Sequence, residues 1–562
     1  MSTPLATFYP ESYGAVRDGV HDDSSALNAA GAAASAAGPG GTVTLSAGVY
    51  AIASTFQLYP NVRYIGAGQW RGSGTMGGTV VRATAGMGYV VSFLQNSASN
   101  ASLEDMTIDG NAQATGYLIV MCSVTAALGQ KLVRVSAVNG LTSGVLCQDP
   151  ATEQLIDDCY FDNIGDIAVS FQPSTHDTPN AHKVTYNAIV RNVRVSRRRG
   201  GFGIWGALAD CVRVDNPCIR GVGQRSGGGV TVSITSGGVA TISSGTWDPD
   251  IIAGMNLIVA PPGTDFTVKT VNSTTQLQLE NHDGSPYSGG VQTAVAFAVG
   301  SFESISLGCC SNWLITNPDT DGGIDGGIVV GLGATVATAT YNGNSENIVV
   351  VGGSIRNVGN TGVLFASDDR PAGQTNIVRS CEAIGTIVEN CNLNGALNNT
   401  GNDSCFHASG ADTYYCKFTG VIAKDTQAVA TSQYPIAFDA TYPQSNGNTF
   451  SDLTQLGTVY QNARNADHAA PALNSQIYLQ DSAGDIAALT ALTLTIPGSG
   501  ASQLSQYALQ IANVQLERGT GAPSGTTISP VIYIRTDTFG TAGATHLYTN
   551  PGGGSSTWTG IA

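Results

Sequence analysis

The stretch Y-G-A-V-R-D-G-V-H-D-D-S-S-A-L-N-A-A (Tyr13 to Ala30), followed after an Ala-rich segment by G-G-T-V-T-L-S-A-G-V-Y-A-I (Gly40 to Ile52), decides the fold. Gly14 and Gly19 read as turn positions where φ can become positive, and Asp22, Asp23, Ser24 and Ser25 can cap a helix over the run from Ala26 to Ala37. Gly40-Gly41 then opens a strand phrase in which Val43, Leu45, Val49 and Tyr50 supply apolar, β-prone residues around a turn at Gly48. No long helix-period segment follows residue 37. The expectation is therefore an all-β chain with one short helix near its start.

Working outward, 562 residues exceed the size at which a single core stops growing, unless the chain is a solenoid that lengthens by stacking coils. Glycine is abundant, at 71 residues, and only 11% of residues are charged, against roughly 25% in ordinary soluble domains. Such a surface is polar without being charged, which suits stacked turns facing water or sugar. The formal charge of −16 argues against a nucleic-acid partner, because phosphate binding needs a basic stripe. The sequence has no run of 18 apolar residues and no basic segment leading into an apolar core, so neither membrane insertion nor a signal peptide is expected. Eleven cysteines without paired metal spacing suggest neither a disulfide framework nor a zinc ribbon, and no metal or cofactor is expected. Cys159, Cys391 and Cys416 lie in similar apolar contexts and read as buried thiols stacked in one inward-facing ladder.

A phrase recurs from about residue 100: a short alternating strand, a turn of Asn, Asp or Gly, then a second short strand. It appears as L-E-D-M-T-I-D-G-N (103–111), L-V-R-V-S-A-V-N-G (132–140), L-I-D-D-C-Y-F-D-N (155–163) and I-V-E-N-C-N-L-N-G (387–395). Spacings of 24 to 30 residues with irregular excess are the signature of a solenoid with insertions on its turns. Residues 225–300, with several alternating strands and tight Gly turns, break the rhythm and read as an inserted small barrel or sandwich. After about residue 480 the phrase ends and a separate β-sandwich-like module is expected.

The Tyr13 to Ile52 segment resembles the opening of the pectate-lyase superfamily, in which a short helix caps the first coil; Ser46 stands where that family commonly has proline. The resemblance implies a right-handed, single-stranded parallel β-helix. The expected layout is an opening and capping segment (1–60), β-helix (61–224), inserted β domain (225–300), β-helix (301–480) and a C-terminal module for trimerisation or carbohydrate binding (481–562). With the inserted and C-terminal modules, the chain looks like a bacteriophage tailspike depolymerase. That resemblance implies a homotrimer joined to a phage tail or baseplate protein, located on the virion and acting extracellularly on a bacterial surface polysaccharide (capsule, exopolysaccharide or O-antigen). Carboxylate-catalysed glycoside hydrolysis is the expected reaction. The alternatives are a lyase that eliminates across a uronate and a glycan-binding tail protein or adhesin without activity.

Aligning the second strand of each phrase (144–149, 167–172, 202–207, 327–331, 362–370 and 403–409) places Asp166, Arg197 to Arg199, Asp321 with Asp325, and Asp403 on the preceding turns. Asp149, His176 with Asp177, Asp368 with Asp369, and His407 fall on the following turns. Hydrolysis needs two carboxyls, roughly 5 Å apart for retention or 6.5–9.5 Å for inversion. Asp321 and Asp325, facing Asp368 and Asp369 across one groove, are the expected acid and base set. Asp in Gly-rich turns serves equally well to cap backbone. Expected substrate contacts are Arg198, Arg199 and Arg370 for anionic groups, Trp205 and Trp313 for stacking on sugar faces, and His407.

Overall fold

The structure is a computed structural model. It describes residues 6–457 except 39, 73–74, 95–96, 115, 175–182, 199–200, 227–228, 260–263, 282–283, 333–342, 369–374, 395–403, 428–430, 432–433 and 439–447, together with the backbone of strands at 477–480, 508–511, 514–519, 531–535, 546–550 and 559–561. The chain divides into two units, Met1–Ala491 and Leu492–Ala562.

The first unit is built from parallel ladders in which each coil adds one strand to each face. In the first ladder Val43, Tyr64, Leu103, Leu132, Ile156, Val190, Val214, Ile315, Val350, Ala383, Phe418 and Phe450 are successive partners. All twelve are buried. The second ladder stacks Tyr50, Val81, Ile108, Ala137, Phe161, Val195, Ile219, Thr320, Ile355, Val388 and Ala423 in the same manner. The third stacks Phe56, Val91, Ile119, Val145, Val169, Ile204, Ile305, Ile328, Val363, Phe406 and Ile436. Like residues above like residues fill one continuous core, and the fold is a parallel β-helix.

Corners explain the Asn, Asp and Gly of the repeated phrase. Between the first and second ladders the chain turns at Asp105, Arg134, Asp158, Asn192, Asn216, Asn317, Gly352, Gly385, Gly420 and Asp452, with φ from 48° to 63°. That left-handed conformation is tolerated best by Gly, Asn and Asp. Side-chain amides also bond from coil to coil, Asn317 Nδ2 to Asn216 Oδ1 at 3.2 Å and Asn216 Nδ2 to Asn192 Oδ1 at 3.3 Å. The thiols of Cys159, Cys391 and Cys416 are buried as expected of core cysteines, but each follows a different corner of the coil, so they do not form one ladder.

The helix spans Ser24–Ala36, starting and ending slightly earlier than its alanine content suggests. Leu27, Ala30 and Ala34 close the open end of the core. Gly31 is required there, because a Cβ would stand 2.6 Å from the Tyr64 hydroxyl. The capping expectation needs one correction. Asp22 Oδ1 accepts from Ser24 N at 3.1 Å, whereas Asp23 makes no cap bond. Asp23 is fully buried and takes the backbone N–H groups of Val16 and Arg17 at 2.7 and 2.9 Å, tying the preceding turn to the helix. Asp23→Ala is expected to cost roughly 2–3 kcal/mol by leaving those donors without an acceptor. Chemical denaturation and protease cleavage near residue 16 measure that loss.

Between the second-ladder strand Cys218–Arg220 and the third-ladder strand Ile305–Gly308, the chain builds an eight-stranded antiparallel sheet. Its order is Gly223–Arg225, Phe297–Gly300, Asn256–Val259, Thr264–Ser273, Gln276–Glu280, Val239–Ile242, Val232–Ile234, Gln292–Val295. The last of these and the second are separated in sequence by Ala296 alone, so the chain passes from one edge of the sheet to the strand next to its other edge. Trp247, Leu257, Phe266, Leu277 and Phe297 belong to the sheet's own core. In the second unit, the strands from Ala508 to Ile561 form one five-stranded sheet, with a parallel pair between Val514–Gly519 and Val531–Arg535.

Candidate active site on the outer face of the third ladder

The expected acids occupy two different faces. Asp321 lies on the second ladder beside Arg220 and Arg356 in register, where Arg356 Nε is 3.5 Å from its carboxylate and Asn357 donates to it at 2.8 Å. Its neighbour Asp319 sits between Arg220 and Arg356, at 2.5 and 2.7 Å. Burial alone would raise the Asp319 pKa, but the two guanidinium groups outweigh it and hold the carboxyl below its ordinary value. Asp325 is on the turn entering the third ladder and accepts from Asn360 Nδ2 at 2.5 Å. Asp368 follows the third-ladder strand Val363–Ala366 and accepts from the Ser409 hydroxyl. Four strand residues, roughly 13 Å of extended chain, separate the edge carrying Asp325 from the edge carrying Asp368. The fold does not bring the two together across one groove.

Of the expected substrate contacts, Trp313 is a core residue. It is 1% exposed, donates from Nε1 to Ala209 O at 3.0 Å, and meets Phe171 edge-on at 5.7 Å. Its place in the strand Ser311–Thr316 points inward, so it cannot stack on a sugar. His407 is a buried strand residue in register with Leu364, not a turn residue. Arg198 ends the second-ladder strand Arg194–Arg198. Arg199, Asp369 and Arg370 lie outside the described residues, as do His176, Asp177 and Asp403.

Trp205 is where an aromatic row forms. It is half-exposed in the strand Ile204–Ala207, in register with Ser170 and Ser306. The Phe202 ring stacks beside it, with centroids 6.4 Å and planes 14° apart, and Phe302 of the next coil stacks beside Phe202 at 6.3 Å and 24°. The three rings make a stacked row on the outside of the helix.

Asp166 stands on the same corner, immediately before the third ladder. Gly201 packs against it so closely that a Cβ would lie within 1.9 Å of Asp166 Oδ1. Asp166 is exposed to solvent, although protein crowds around its carboxyl. The protein surroundings govern the proton, since removing water from around a carboxylate disfavours its charge, and burial pushes the pKa up to about 6. Two coils back, the Tyr117 hydroxyl accepts from Gln172 Nε2 at 2.9 Å. Burial foremost, and to a lesser degree the nearby Asp166 carboxylate, raise the pKa of that phenol, against hydrogen bonds with Ser170 and Gln172 that lower it. Glu303 is half-exposed two coils beyond Ile167, linked through Phe202 by the ladder bonds Ala168 N to Phe202 O and Gly203 N to Glu303 O. Two rungs correspond to roughly 10 Å.

Comparison with known proteins agrees with this architecture. The sequence model of the family described as rhamnogalacturonase A/epimerase, pectate lyase-like, matches residues 11–211. Mannuronan C5-epimerase AlgE2 of Azotobacter vinelandii is 38% identical over 115 residues, which cover 18% of this chain and 11% of that protein. The chain thus spans about a tenth of the curated relatives it matches first. Among solved structures, PfbA, a surface adhesin of Streptococcus pneumoniae, superposes with a TM-score of 0.50 at 11% identity, over 84% of this chain and 95% of that one. Tailspike protein 3 of bacteriophage CBA120 gives a TM-score of 0.40 at 9% identity, over 81% and 64%. The likeness to PfbA is one of fold.

Among the described residues, no three His, Cys, Asp or Glu side chains gather in a way that could hold a metal ion. The corner beside the third ladder therefore offers aromatic rings, one carboxyl and one phenol with raised pKa values, and a second carboxyl about two rungs away. Of these, the sequence alignment of turns contained Asp166 and the substrate contacts contained Trp205. Tyr117, Phe202, Phe302 and Glu303 were not found, because only the register between coils places them on one face.

Proposed function

We propose that the chain binds a polysaccharide along the outer face of the third ladder and hydrolyses it there, with Asp166 as general acid. The observation that carries this reading is the stacked row of Trp205, Phe202 and Phe302 beside a carboxyl whose pKa is pushed up to about 6. Aromatic rings offer area to sugar C–H groups, and a carboxyl that keeps its proton up to about pH 6 can give it to a departing glycosidic oxygen. Glu303, two rungs further along the same edge, would be the second carboxylate, which in inverting enzymes activates water on the opposite face of the sugar. Tyr117 and Gln172 would orient the hydroxyls of the sugar next to Asp166.

The opening segment, the inserted antiparallel sheet and the separate C-terminal sheet support a phage tailspike role, as a homotrimer attached to a tail or baseplate protein on the virion and acting at the bacterial surface. The sequence relationship to mannuronan C5-epimerases supports the runner-up, chemistry at the carbon next to a uronate carboxyl. Digestion of a bacterial surface polysaccharide, followed by reducing-end titration and by absorbance of unsaturated uronates, separates them. Hydrolysis is expected to release reducing ends without absorbance; a rise in both contradicts it. Trp205→Ala is expected to weaken oligosaccharide binding roughly tenfold, about 1.4 kcal/mol, measured by calorimetry.

A further inference from the structure

Cys391 and Cys405 face each other inside one coil with their Sγ atoms 3.3 Å apart, both fully buried. Cys391 lies just past the second-ladder strand Ile387–Glu389, and Cys405 lies in the third-ladder strand Ser404–Ser409. The pair therefore bridges the two ends of the segment that joins those ladders. In the preceding coil, register puts Val358 and Gly362 at the equivalent places, so the facing thiols are particular to this coil.

We propose that Cys391 and Cys405 form an intrachain disulfide when the chain folds in an oxidising medium, before the core closes over them. A small-molecule disulfide is the oxidant. One cysteine, as thiolate, attacks it and releases one thiol; the second cysteine then displaces the remaining half as another thiol. Two cysteine thiols and one disulfide thus become one protein disulfide and two small thiols, with both electrons and both protons leaving on the latter. A disulfide needs about 2.05 Å between sulfurs, so the pair must close by little more than 1 Å.

The cross-link has a structural consequence beyond the coil. Asn394, three residues after Cys391, donates from Nδ2 to Ile324 O at 2.6 Å and accepts from Arg225 Nε at 3.0 Å. Arg225 belongs to the first strand of the inserted sheet. The disulfide would anchor the root of the segment that grips that sheet, and it would restrict the unfolded chain by closing a loop. The inference does not depend on the polysaccharide reading.

The test uses the full chain. The reduced, unfolded protein is refolded with oxidised glutathione, then unfolded so that its remaining thiols can be alkylated, and digested without reduction for mass spectrometry. The expected result is one cross-linked peptide pair joining Cys391 to Cys405, a thiol count lowered by two from eleven, and a higher thermal midpoint that dithiothreitol reverses. Cys405→Ala should show neither the cross-link nor the reversible shift. Eleven thiols retained, glutathione left attached to either cysteine, or a cross-link between other cysteines would overturn the proposal; peptide mapping of the unaltered chain decides it even where the variant folds poorly.

Discussion

Asp166→Asn is expected to reduce polysaccharide cleavage by roughly 10²–10⁴-fold, the usual contribution of a positioned general acid, while oligosaccharide binding persists. Asn keeps the shape and cannot deliver the proton. The folded-state pKa of about 6 lies above the ordinary carboxyl value of 3.8, so the protonated form is the one the fold favours. The stability that this residue contributes is fully present below pH 3.8 and is lost as pH rises through 6. The wild-type protein should therefore weaken slightly between those values, and Asp166→Asn should lack that decline. Activity in the wild type should fall as pH climbs past 6, as the acid loses its proton. Asp321→Asn provides the contrast: its carboxylate belongs to the Arg356 charge ladder on another face, so cleavage should remain near the wild-type rate. Initial rates by reducing-end titration across pH, with thermal midpoints at the same pH values, measure all of these effects.

Trp313→Ala is expected to destabilise the first unit by roughly 3–5 kcal/mol, the range for removing a large buried aromatic. Three losses add together: the cavity left under the coil, the edge-on contact with Phe171, and the hydrogen bond that leaves Ala209 O without its donor. Chemical denaturation followed by intrinsic fluorescence and circular dichroism measures it. Sugar binding by the folded fraction should be unchanged. Trp205→Ala should show the opposite pattern, with weakened binding and a smaller loss of stability, because Trp205 is half-exposed and only partly packed on the core. The two tryptophans look alike as candidate sugar contacts in the sequence, and these variants tell them apart.

The difference between them also shows what a sequence of this kind reveals. Corners announce themselves: Asn192, Asn216 and Asn317 mark the same turn in three coils because few residues accept its φ. Inward residues announce themselves by repetition, as Val145, Val169, Ile204, Ile328 and Val363 do in the third ladder. The intervening strand at Ile305 is harder to see, because the inserted sheet separates it from its predecessor by a hundred residues. What a single sequence hides is which turns share an edge. Asp325 and Asp368 look adjacent as neighbouring acidic turns, but one precedes the third-ladder strand and the other follows it. Asp166 and Glu303 look unrelated, being 137 positions apart, because the inserted sheet lies between two consecutive rungs. The raised pKa of Asp166 depends on how closely Gly201 and its neighbours surround it, which no local motif encodes.

A crystal structure of Asp166→Asn soaked with an oligosaccharide from the bound polymer tests the central claim most directly. The expected result is a sugar packed against the row of Trp205, Phe202 and Phe302, with its glycosidic oxygen within about 3.2 Å of the residue 166 amide. Sugar bound instead along the second ladder, beside Asp319, Asp321 and Arg356, would contradict the assignment of the third-ladder face.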